Sequence, residues 1–203
     1  MEKSKVQYYY KKANFAFIYL IITLVTGLTG LAFSNDLLIL KILLGVMNIG
    51  LYGYFVIYYN YKTGEEAMSI RFSNDINRLE IIKTGKDIAL KTTEEFKWWK
   101  GFFIGLISAI PLIVLWALHF LLVLITGSET TIFGAITLFL YVLVIYFFNI
   151  SGEGLANTSS FYLTSIYLPF VVLLSGIGYL LGARKAKTRQ AGFDELNEEI
   201  YGK

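Results

Sequence analysis

Cysteine is absent from this chain, and histidine and proline nearly so, at one and two residues in 203. Without thiols there is no disulfide, no thiolate metal site and no cysteine nucleophile. A single histidine excludes paired-histidine zinc motifs such as HExxH. No GxSxG elbow, Walker A loop or dinucleotide-binding glycine fingerprint occurs either. Charge is the most telling shortage. Asp, Glu, Lys and Arg make up 16% of the residues, against roughly 25% in an average soluble protein. No catalytic residue, cofactor-binding residue or metal ligand can be named from these motifs. Basic residues mix with aromatics only beside apolar runs, so nucleic acid is not the expected partner.

What is present is apolar side chain, 56% of the whole, gathered into runs. Segments 14–33, 101–127, 130–150 and 161–182 hold no charged residue, and 37–59 holds only Lys41. A bilayer core takes about 20 apolar residues as helix, and each segment meets that length. The sequence therefore predicts an all-α polytopic integral membrane protein. It would have four to five membrane-embedded helices in one membrane domain, 1–203, plus a cytoplasmic amphipathic helix. The basic head before the first run, "MEKSKVQYYYKKANF", resembles a signal peptide. The run is long and lacks a small-residue cleavage site, so a retained first span is expected. Scarce cysteine with abundant Lys, Ile and Tyr points to a bacterial plasma membrane.

Charge sorts the connections. All eighteen basic residues except Lys41 fall in three blocks: Lys3 to Lys12, Lys62 to Lys100, and Arg184 to Lys203. The gaps "SND", "TGSET" and "SGEGLANTSS" carry one acid each and no base. Lys and Arg near span ends stay on the cytoplasmic side, which places both termini and segment 60–100 inside. Three full crossings after Lys100 would instead put the basic tail, 183–203, outside. Either 130–150 does not cross fully or the tail breaks the charge rule. A cytoplasmic tail is the preferred expectation.

"KWWK" reads as an interface anchor for the third span. Trp98 and Trp99 suit the headgroup level, and Lys97 and Lys100 can extend their ammonium groups to water. Upstream, "TTEE" resembles a capping box with Thr92 as N-cap, predicting a helix from near Thr93. Between Gly64 and Gly85, apolar Met68, Phe72, Ile76, Leu79 and Ile82 recur at spacings of four and three, which predicts an amphipathic helix. Its stripe can lie on the inner leaflet, pack under the bundle or dock on a partner. "EEAMSIR", with Glu65, Glu66 and Arg71, comes close to the EExxxR of intramembrane CAAX-type proteases. The spacing is one residue too long, and no histidine follows at a helical interval, so no protease is read from it.

Polar residues within apolar runs are costly and usually face a bundle interior. Lys41, Asn48 and Tyr52 share one face of the second run, and Gly101, Gly105, Ser108 and His119 share one face of the third. Packed antiparallel, these faces would bring Tyr52 to the Gly105/Ser108 hollow and join Lys41, Asn48 and His119 in a candidate polar patch. The functional expectation is a non-catalytic membrane subunit or accessory protein. It would present a basic cytoplasmic surface to anionic lipid or to another membrane or cytoplasmic protein. The alternative is a small-solute transport component; the chain is similar in size and hydrophobicity to vitamin-binding transporter subunits, though it lacks their paired alanines. Its small-molecule ligand, if it has one, is unknown. With no native cysteine as background, single cysteines at Ser34, Ser128 and Thr158 should label from outside intact cells, and ones at Thr84 and Thr188 should not. External labelling at position 188 would overturn the cytoplasmic tail.

Overall fold

The computed structural model describes residues 5–14, 38–127, 132–133 and 167–202, and every regular element among them is helical. Helix α1 covers 5–14, α2 Leu38–Thr84, α3 Lys100–Thr126 and α4 Tyr167–Tyr201. The spans expected at 14–33 and 130–150 lie almost wholly outside the described residues.

Helix α2 runs unbroken for 47 residues, about 70 Å at 1.5 Å per residue and more than twice a hydrocarbon core of about 30 Å. The second apolar run and the amphipathic segment are thus one rod, where the sequence suggested two elements parted at Gly64. Polar side chains near the junction serve the rod itself. Asn60 Nδ2 donates to the Val56 carbonyl at 2.9 Å, and Thr63 Oγ1 to the Tyr59 carbonyl at 3.1 Å. The rod ends where glycine punctuation predicted: Gly85 adopts φ 67°, and its N–H donates to the Ile81 carbonyl at 2.8 Å. Such a left-handed residue closes a helix at little steric cost only when it is glycine. Helix α3 ends likewise at Gly127, and it passes through Pro111 without interruption.

Gly64 has another use. A β-carbon there would lie 1.9 Å from the Tyr179 carbonyl oxygen, and one on Gly182 would lie 1.9 Å from the Tyr61 carbonyl oxygen. The backbones of α2 and α4 therefore touch, which only small residues permit. Gly178, Gly182 and Ala186 form the small-residue row on α4, and Gly178 faces Ile57. The register advances together on both helices, from Gly53 against Phe170 and Leu174 to Gly182 against Tyr61. Hence α2 and α4 are parallel. Helix α3 runs the other way, with Gly101 on Tyr179, Phe102 on Gly176 and Gly105 on Val172.

A β-carbon on Gly105 would meet Val172 and Ser175 of α4, a pairing of α3 with the last helix that the sequence reading did not anticipate. Ser108 donates to the Ala13 carbonyl of α1 at 2.9 Å. Among the described residues, the extended interfaces join α4 to α2 and α4 to α3. Sequence could show that α3 has a small-residue face; it could not show which helix fills it.

Two described helices, Lys100–Thr126 and Leu168–Glu199, are long and apolar enough to cross a membrane. Only 12% and 39% of their apolar windows are buried. A core helix of a water-soluble domain would be mostly covered, and uncovered apolar surface on this scale needs lipid or protein against it. Gly64→Ala should destabilise the fold by roughly 1–3 kcal/mol or more, the range for overpacking. Gly192→Ala meets open space and should stabilise by up to about 1 kcal/mol through helix propensity. Thermal unfolding in detergent measures both; a Gly64→Ala protein as stable as the parent would refute the backbone contact.

Candidate functional site

The three long helices meet where the apolar half of the bundle gives way to charge. Tyr179 is fully buried there, between Gly64 of α2 and Gly101 of α3. Its ring stacks on Phe96 with centroids 5.4 Å apart and planes at 10°.

Phe96 belongs to the connection 85–99, which climbs back along α2 rather than trailing away. Three residues of α2, Asn74, Arg78 and Ala67, hold it through hydrogen bonds. Buried Asn74 accepts the Lys91 N–H at 3.2 Å through Oδ1 and donates to Glu95 at 3.4 Å through Nδ2. Arg78 forks onto both Glu95 oxygens at 2.8 and 3.2 Å, the bidentate geometry that makes such pairs strong. Higher up, the Phe96 N–H donates to the Ala67 carbonyl at 3.0 Å. Arg78 holds the Glu95 carboxyl below its ordinary value; burial opposes that shift, and Asn74 adds to it. The expected capping box is therefore not formed. Residues 92–95 make a turn, Glu95 is drawn to Arg78, and α3 starts only at Lys100 with no side-chain cap.

Lys100 also departs from its expected role. Lys97, Trp98 and Trp99 are exposed, but Lys100 is only 2% exposed. Its ammonium donates to the Thr93 carbonyl at 2.6 Å and to the Glu95 carbonyl, with the Tyr8 ring 6.0 Å away. A buried cation needs such partners, and the turn at 92–95 supplies them where water would serve a snorkelling lysine. On the other side Tyr9 stacks on Trp99 at 6.5 Å.

Ion pairs complete the junction. Glu66 takes Lys12 of α1 at 3.0 Å, and Glu65 takes Arg189 of α4 at 3.2 Å with Lys62 at 3.8 Å. Both glutamates of "EEAMSIR" are thus engaged with bases, and Arg71 is exposed.

Beyond this junction α2 and α4 continue side by side as far as the cleft that Asn77 and Phe193 line. From Gly64 to Thr84 and from Tyr179 to Tyr201 each extends about 30 Å at 1.5 Å per residue. The predicted amphipathic face divides along this stalk. Met68 and Phe72 are half-buried, while Ile76, Leu79 and Ile82 are 63%, 59% and 80% exposed. Phe72 and Ile76 line a 290 Å³ cleft with Ala186, Arg189 and Phe193 of α4. Because α2 is collinear with the apolar run above it, the stripe stands off the junction and does not lie flat beside it.

Of the candidate polar patch, His119 is buried on α3 with its ring 5.7 Å from that of Phe120. Lys41 and Asn48 fall on the first turns of α2, and their side chains lie outside the described residues. Sequence reading missed Tyr179, Asn74 and the α4 row. The signal for the last was visible in "GYLLG", Gly178 to Gly182, as small residues four apart. Asn74 carried no signal, since one asparagine on an exposed-looking helix face is ordinary.

Models of known protein families, curated proteins and solved structures provide no match to this chain. The depressed Glu95 carboxyl fixes the sign of a pH effect. Its contribution is present above the ordinary glutamate value of about 4.3 and is lost as pH falls below that. Amide exchange across 85–99, corrected for intrinsic rates, should rise on acidification below about pH 4. Glu95→Gln should show the faster exchange already at pH 7. Slow exchange in that variant would show that the fork does not hold the connection.

Proposed function

We propose that this protein is a non-catalytic integral membrane subunit that holds a partner protein at the cytoplasmic face. The observation that carries the proposal is the paired stalk. Two helices leave the bundle in parallel and carry Ile76, Leu79, Ile82, Phe193 and Leu196 into solvent, all more than half exposed. An apolar ridge of that kind on a projecting rod is a docking feature of the helix-face type.

The charge arrangement supports a division of labour. Arg184, Lys185, Lys187 and Arg189 follow Gly182 directly and ring the junction, where anionic headgroups would lie. Asp194, Glu195, Glu198 and Glu199 sit near the stalk tip and form no ion pair among the described residues. The partner is therefore an amphipathic helix with basic flanks.

The topology proposed with it is multi-pass, in the plasma membrane, with both termini cytoplasmic. Runs 14–33 and 37–59 would cross as the first two spans, α3 as the third and α4 as the last. Helix α3 runs away from Lys100 and α4 runs back, so a single full crossing by 130–150 would be incompatible with this order. Four spans reconcile the basic tail with the charge rule.

Cysteines placed at Ile82 and Leu196 should crosslink one protein in native membranes. The double variant Ile82→Lys/Leu196→Lys should lose that protein on co-purification while accumulating normally in the membrane. Retention of the partner would refute the ridge as its docking face. A co-purifying small molecule with no protein partner would favour the transport alternative.

A further inference from the structure

A second cavity, about 400 Å³, lies between α1, α2 and the connection, within the ~300–1,000 Å³ usual for small-molecule sites. Gln7, Tyr8, Lys11 and Lys12 form one wall, Tyr59, Glu66, Ala67 and Ile70 a second, and Glu94 a third. Lys12 and Glu66 neutralise each other at 3.0 Å. Lys11 and the half-buried Glu94 make no ion pair among the described residues. The cleft thus offers an uncommitted cation and an uncommitted anion together, beside two half-buried tyrosine rings. Its depth is that of Tyr8, near Lys100, and of Tyr9, which stacks on Trp99. That is headgroup level if α3 spans the bilayer.

We infer that this cleft binds a phosphoethanolamine group, the headgroup of a zwitterionic phospholipid, with its phosphate on Lys11 and its ammonium on Glu94. The inference rests on the membrane placement proposed above. Charge of both signs distinguishes the site from a basic patch: a purely anionic headgroup would leave Glu94 uncompensated and would bring its charge near Glu66. A primary ammonium carries three N–H donors for a carboxylate, and a tyrosine ring attracts the same cation. A quaternary choline offers the rings its charge but has no hydrogen for Glu94. The apolar side chains of Ala67 and Ile70 line the α2 wall.

Native mass spectrometry of the full chain in detergent, titrated with single lipids, tests the site. Phosphatidylethanolamine should bind with one-to-one saturation and raise the unfolding temperature. Lys11→Ala and Glu94→Gln should each weaken it roughly tenfold, the loss of one charge-assisted contact. Lys86→Ala, an exposed lysine outside the cleft, should leave it unchanged. Equal binding of phosphatidylglycerol or phosphatidylcholine would overturn the headgroup assignment, as would Lys86→Ala weakening binding as much as Lys11→Ala. Saturable binding of soluble phosphoethanolamine with no preference for the lipid would overturn the lipid source. Carbonate-resistant membrane fractionation of the same proteins reads membrane placement independently. Inserted protein without lipid binding refutes the site alone, and extractable protein refutes the placement beneath it.

Discussion

Backbone contact between α2 and α4 is the constraint on which the rest depends. Where Gly64 meets Tyr179 and Gly182 meets Tyr61, no β-carbon fits, so the two helices can be brought no closer and slide in only one register. Dispersion between close backbones and the weak Cα–H contacts they allow hold helices together where apolar burial gives little drive. Tyr179 then fills the triangle that α3 closes with Gly101. Because the pair is parallel, every charged residue after Gly182 travels beside the charged half of α2. Arg189 reaches Glu65 for that reason.

The junction places neutral packing above and paired charge below. Asn74, Arg78 and Glu95 bind the connection to α2, and the turn that results offers its carbonyls to Lys100. The two features are coupled. Without the fork on Glu95 the carbonyls of Thr93 and Glu95 would have no reason to face the start of α3, and a buried ammonium would lose its partners. Among the described residues, Lys11 and Glu94 at the second cleft and the acids of the stalk tip form no ion pair, which is why both proposals concern those regions.

Much was legible from residues alone, and the reasons are local. Uncharged runs identified α3 and the apolar part of α4, because the cost of burying charge in lipid acts on each residue separately. The spacing of Met68, Phe72, Ile76, Leu79 and Ile82 announced a helix, and Gly85 its end, because period and left-handed backbone are properties of a short window. Gly64 misled for the same reason: a glycine at a turn and a glycine at a helix crossing look alike until the partner is known. Lys100 misled too, since a lysine beside tryptophans at a span end ordinarily reaches water.

The sequence by itself determined the all-helical class, the apolar runs, the sorting of charge and the position of the helix stop at Gly85. Each follows from energies that depend on a residue and its near neighbours. Only the tertiary structure decided that α4 lies against both α2 and α3, that α2 continues unbroken as half of a parallel stalk, and that Glu95 turns to Arg78 instead of capping a helix. Those outcomes depend on which surfaces, distant in sequence, fit at van der Waals distance, and no periodicity along one chain records its partner's shape.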